Sequence, residues 1–117
     1  MAYPRSMRLL RHADFDRVYK QGRRHFSSHM TVFYLEREDG SGLRVGFTVG
    51  RVLGGAVDRN RMKRRLREVV RLRRPNLAAP VDVVINPKKT LLKADFDELL
   101  QEISRAFDVI AAKTAAR

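Results

Sequence analysis

The sequence predicts an α+β domain in which helices cover a mixed sheet, on three observations. Apolar residues recur at helical spacing in three separated stretches, alternate at period two in others, and turn residues stand where the period changes. At 117 residues with 44% hydrophobic content, the chain is long enough for one packed core and too short for two. A single domain over 1–117 is expected, with 1–7 and 112–117 flexible.

The elements follow in order. RHADFDRVYKQG places Phe15, Val18 and Tyr19 at i, i+3 and i+4 with Gly22 as a stop, which predicts a short first helix. Residues 24–35 then alternate. Phe26, Ser28, Met30, Val32 and Tyr34 share one face, and His25, Ser27, His29, Thr31, Phe33 and Leu35 share the other, so a strand is expected. EDGSG is a turn by composition, and Leu43, Val45, Phe47 and Val49 alternate after it; the two strands are expected to form a hairpin. In DRNRMKRRLREVVRLRR, Met62, Leu66, Val69 and Val70 fall at i, i+4, i+7 and i+8, one stripe of a helix that Asp58 should cap and Pro75 should end. VDVVIN, over 81–86 between Pro80 and Pro87, is a β-branched strand. Phe96, Leu99, Leu100, Ile103, Phe107 and Ile110 form the stripe of a last helix with Asp95, Asp97 and Glu98 at its start, and AAKTAAR is expected to fray. The order is helix, two or three strands, helix, strand, helix.

Charge is concentrated on one element. Over 59–74 nine residues are Arg or Lys and one, Glu68, is acidic, in a chain whose net charge is +12. Like charges at i, i+4 such as Arg59, Lys63 and Arg67 oppose helix formation by roughly 0.2 to 0.5 kcal/mol per pair, and solvated faces ordinarily mix signs. One sign on a core-docked helix points to a polyanion, first of all to nucleic acid, since displaced counterions drive association.

Other chemistry is poorly supported. Gly50 and Gly55 have P-loop spacing, but Ala56 and Val57 stand where that motif needs Lys and Ser or Thr, so the glycines are read as a strand-to-helix turn. Two-metal hydrolysis needs clustered carboxylates, and the acids here are scattered; His12, His25 and His29 read as surface or packed residues, and no catalytic or metal-ligating set emerges. The absence of cysteine excludes disulfides and Cys-based zinc sites. No stretch has the length of a membrane span or the apolar core of a signal peptide, so a cytoplasmic protein without membrane or small-molecule partner is expected.

Residues 43–68, LRVGFTVGRVLGGAVDRNRMKRRLRE, resemble the bacterial ribonuclease P protein component, whose signature centres on Arg-Asn-Arg-x-Lys-Arg at a helix start. Arg59, Asn60, Arg61, Lys63 and Arg64 match it, and similar spacing extends to ADFDRVYKQGRR and to the later strand and helix. The family commonly reads Ser-Lys-Lys-x-Gly-Asn-Ala-Val before the signature. Here Gly50 to Val57 lack one basic and two polar side chains, and only Arg51 carries over as a charge.

The resemblance implies a two-layer α/β sandwich, order αβββαβα, with a left-handed βαβ crossover, like domain 2 of ribosomal protein S5. It implies a protein cofactor of an RNA enzyme, inactive alone, whose catalytic RNA holds Mg2+ and removes the 5′ leader of precursor tRNA. Arg51, Arg59, Asn60, Arg61, Lys63, Arg64 and Arg67 are then expected to bind the catalytic RNA. Phe15, Tyr19 and Tyr34, with Arg23 and Arg24, are expected in a cleft for the single-stranded leader. Rival readings are a ribosome-associated or other structural RNA-binding protein, a stand-alone nuclease, and a DNA-binding regulator. A helix with one amide, Asn60, among Arg and Lys is built for backbone contact more than for base readout.

Overall fold

The computed structural model describes residues 11–38, 40, 42–75, 77 and 79–115. Its elements are α1 (His12–Gln21), β1 (Arg23–Phe26), β2 (Met30–Glu36), β3 (Leu43–Phe47), α2 (Ala56–Arg73), β4 (Val81–Pro87) and α3 (Phe96–Ala115), with 3-10 turns at Arg51–Leu53 and Lys89–Leu92. The sheet order is β1-β2-β4-β3. β2 runs antiparallel to both β1 and β4, whereas β3 is parallel to β4 and reaches it through α2. The expected mixed four-stranded sheet with three helices is therefore present.

Alternation fills both faces of this sheet. Met30, Val32 and Tyr34, Leu43 and Val45, and Val81, Val83 and Ile85 face α2 and α3, whose Met62, Leu66, Val69, Val70, Leu99, Ile103, Phe107 and Ile110 complete the main core. On the reverse face α1 lies across β2 and β4, where Val18 and Val84 are buried beneath Phe15, Phe33 and Leu35. Beside this smaller cluster Asp82, only 1% exposed, accepts hydrogen bonds from Arg37 at 2.7 Å and from Arg44 at 2.8 Å. Arg44 also lies 3.4 Å from Asp14 of α1, so buried charge ties that helix to the sheet. Gly22 lets α1 end hard against β2: an added Cβ would stand 2.4 Å from the Val18 carbonyl oxygen and 2.6 Å from that of Tyr34.

Four expectations need correction. The strand predicted over 24–35 is two strands, because Ser27 N–H donates to Met30 O at 3.0 Å and closes a turn that conserves the alternation. The segments on either side of 38–42 do not pair with each other; β4 inserts between β2 and β3. Asp58 is not the cap of α2. The helix begins at Ala56 behind Gly55, so Asp58 lies in the first turn, where a carboxylate still complements the helix dipole. Only Gly54, at φ 138, needs glycine's freedom in that link. Finally, the segment expected to fray is helical as far as Ala115, with Thr114 buried and its hydroxyl donating to Ile110 O at 2.9 Å. Residues 1–7, 116 and 117, expected to be flexible, lie outside the described residues. α2 ends as expected: Arg74, before Pro75, has ψ 130 and leaves the helix.

Candidate nucleic-acid interface

α2 buries Met62, Leu66, Val69 and Val70 and turns the rest of its circumference outward. That leaves Asn60, Arg61, Arg64 and Arg67 exposed, with Arg59 and Lys63 half-buried on the shoulder. The structure separates the helix's arginines into two groups. Arg65 donates to the carbonyls of Leu91, Leu92 and Ala94 at 2.6, 2.9 and 2.5 Å and so caps the 3-10 turn before α3. Arg71 pairs with Glu68 at 2.5 Å, and its hydrogen bond holds the Glu68 carboxyl below the ordinary value. Arg61, Lys63, Arg64 and Arg67 have no hydrogen-bonded or ionic partner among the described residues. Arg59 differs: its Nε is buried with no hydrogen-bond partner among the described residues. A buried donor left unpaired costs about 1 to 3 kcal/mol. Arg51 is exposed on the preceding turn, beside Val52, 82% exposed where the resemblance would place a polar or basic side chain.

The expected cleft set divides between the two faces of the sheet. Phe15 and Tyr19, one turn apart on α1, stand over the β2/β4 face. Tyr19, 37% exposed, meets Phe33 edge-on with ring centroids 4.9 Å apart, and the Arg24 guanidinium lies 5.8 Å from the Phe33 centroid. Tyr34 does not join them. It is 5% exposed in the main core on the opposite face, and Arg23, its register partner on β1, borders a concavity there with Lys113 and Thr114. Assigning both to the cleft is thus corrected by one residue of strand alternation, and Phe33 is the aromatic that sequence reasoning missed. The available signal was Phe33's place opposite Tyr34 in the alternating pattern. Lys93 was missed as well; it joins Arg61 and Arg64 along a groove over Leu92.

Cleft and basic helix meet at one end of the sheet. Thr48 N–H extends the ladder to Ile85 O at 3.0 Å, which places Thr48 and Asn86 at the C-terminal ends of β3 and β4, where the chain turns toward α2. Elsewhere, His29 on the β1–β2 turn brings Nε2 to 2.6 Å from Glu98 and 3.6 Å from Glu102, while Nδ1 lies 2.8 Å from Thr90. The sequence treated His29 as ordinary because the fold alone brings α3 beneath that turn. The cluster fastens the β1–β2 hairpin to the last helix.

Comparison with known proteins gives a consistent answer. The family model described as Ribonuclease P matches residues 3–111. The ribonuclease P protein component of Oleidesulfovibrio alaskensis is 42% identical over 102 residues, spanning 85% of this chain and 82% of that protein. Among solved structures, the RNase P protein from Thermotoga maritima superposes with a TM-score of 0.69 at 28% identity, covering 84% of this chain and 96% of that one. The Staphylococcus aureus RNase P protein gives 0.73 at 23% identity over 99% of this chain and 97% of that one, a likeness of fold.

Proposed function

The chain belongs to the ribonuclease P protein family, and from that premise we propose that it presents two RNA-binding faces to one ribonucleoprotein. It is the protein subunit of ribonuclease P, an endoribonuclease holoenzyme. The exposed side of α2 docks on the catalytic RNA through Arg61, Lys63, Arg64 and Arg67, with half-buried Arg59 beside them at the head of the helix. The cleft formed by Phe15, Tyr19, Phe33 and Arg24 guides the single-stranded 5′ leader of precursor tRNA. The observation that carries this reading is the set of cations on α2 that have no partner among the described residues, while Arg65 and Arg71 are paired internally. A rigid helix presents those charges at fixed spacing and does not incur the ordering entropy of a basic tail.

Magnesium fits the RNA better than this chain. Among the described residues the one grouping of three possible ligands is His29, Glu98 and Glu102, which includes an imidazole, whereas Mg2+ selects oxygen donors and retains several waters. The chain's own contribution is to neutralise phosphates and hold the leader in place. No helix among the described residues is long and apolar enough to cross a membrane.

Cleavage of precursor tRNA by rigorously RNA-free protein, by catalytic RNA alone and by both together, across a magnesium series, tests the proposal. Protein alone should leave the substrate intact, and adding it should let the RNA cleave at lower magnesium. Cleavage by the protein alone would overturn it.

A further inference from the structure

A hydrogen-bonded chain beside the edge-on pair of Tyr19 and Phe33 has a fixed direction. Tyr19 Oη donates to Asn86 Oδ1 at 2.8 Å. A phenol has one proton, so the 2.6 Å contact between Tyr19 Oη and Thr48 Oγ1 is a bond that Thr48 donates. The chain runs from Thr48 through Tyr19 and ends on the Asn86 amide. Asn86 Nδ2 has no partner among the described residues, so its two N–H donors remain available.

The position of that amide matters. Asn86 is half-buried on β4, on the face that α1 partly covers, directly across from Thr31 of β2; Thr31 in turn pairs with Phe26, 68% exposed at the β1 edge. The amide therefore occupies an open row of the sheet adjoining the row of Arg24, Phe33 and Val84. An aromatic ring offers a face to an unpaired base, and an oriented amide at its side can reach the base's edge. Arg24 already supplies charge for the backbone beside Phe33, which leaves the neutral amide suited to a base acceptor.

We infer that Asn86 is a specificity-determining residue, donating from Nδ2 to an acceptor on the edge of an unpaired leader base, and that Thr48 and Tyr19 orient it for that contact. The inference rests on the reading of the cleft as the leader site. It gives the Tyr19 hydroxyl a positioning role separate from the stacking role of its ring.

The test uses holoenzyme reconstituted from this protein and its catalytic RNA. Affinity is measured for precursor tRNAs in which one abasic nucleotide is moved along the leader, which removes a base and keeps its phosphate. Wild type should lose about tenfold at one position, the scale of a single base contact. Asn86→Asp keeps the acceptor that Tyr19 needs and removes both N–H donors. In that variant the abasic loss at the same position should shrink to about twofold while losses elsewhere stand, since two changes that delete one contact are not additive. Tyr19→Phe, which keeps the ring and loses the hydroxyl, should shrink it partly, and both variants should melt close to wild type. An abasic profile in Asn86→Asp that parallels wild type at every position would overturn the inference alone. A flat profile in wild type would overturn it together with the leader reading.

Discussion

Phe33 has Tyr19 edge-on against it and a guanidinium near its face, on the side of the sheet away from the main core. Phe33→Ala should therefore weaken holoenzyme binding to precursor tRNA by about 1 to 3 kcal/mol, the scale of one base stack, and leave mature tRNA almost unaffected. Tyr34→Ala should behave differently. Its ring is buried beneath α3, and its loss should cost about 3 to 5 kcal/mol of folding stability, seen as a lower denaturant midpoint and equal losses for both RNAs. Asp82→Ala should also act on stability, by about 3 to 5 kcal/mol, because it leaves Arg37 and Arg44 without the carboxylate they share; urea denaturation measures it. Alternation alone sets Phe33 and Tyr34 on opposite faces of the strand. It could not say which face α1 would cover, since a period of two is symmetric between the faces of a strand and the choice is made by contacts distant in sequence.

At the level of elements, α2 predicts two kinds of arginine. Arg64→Ala or Arg67→Ala should flatten the slope of log affinity for the catalytic RNA against log salt by about one unit or less per lost phosphate contact. Arg65→Ala should leave that slope in place and lower the melting temperature, because it uncaps three carbonyls. α1 depends on one glycine. Gly22→Ala forces a Cβ against two backbone oxygens that cannot yield locally, and overpacking of this kind costs about 1 to 3 kcal/mol, with loss of precursor affinity as α1 lifts from the sheet. The three helices and the final strand were legible because long apolar stripes and flanking prolines are local signals. The β1–β2 turn was not, since Ser27, Ser28 and His29 preserve the alternating pattern while reversing the chain. Nor was the pairing order, because β4 enters between β2 and β3 from far along the sequence and nothing local records its arrival. The start of α2 was misplaced for another reason: Asp58 suits a cap and a first turn alike.

Considered as a whole, the molecule places its two candidate surfaces on opposite sides of one sheet and joins them at the C-terminal ends of β3 and β4. α2 and α3 lie over one face with the free cations pointing outward, and α1 borders the aromatic cleft on the other. Under the proposed function such a plate binds one RNA on each side, so the two proposed roles should be separable by mutation. The net charge of +12 was enough to indicate a polyanion, but only the folded chain shows which cations are already paired. The most direct measurement compares the triple variant Arg61→Ala, Arg64→Ala, Arg67→Ala with Phe33→Ala, recording affinity for the catalytic RNA and the ratio of precursor to mature tRNA affinity in assembled holoenzyme. Two separate faces predict that the triple variant loses affinity for the catalytic RNA and keeps the ratio once assembled, whereas Phe33→Ala keeps that affinity and loses the ratio. Parallel losses of both quantities in both variants would contradict it.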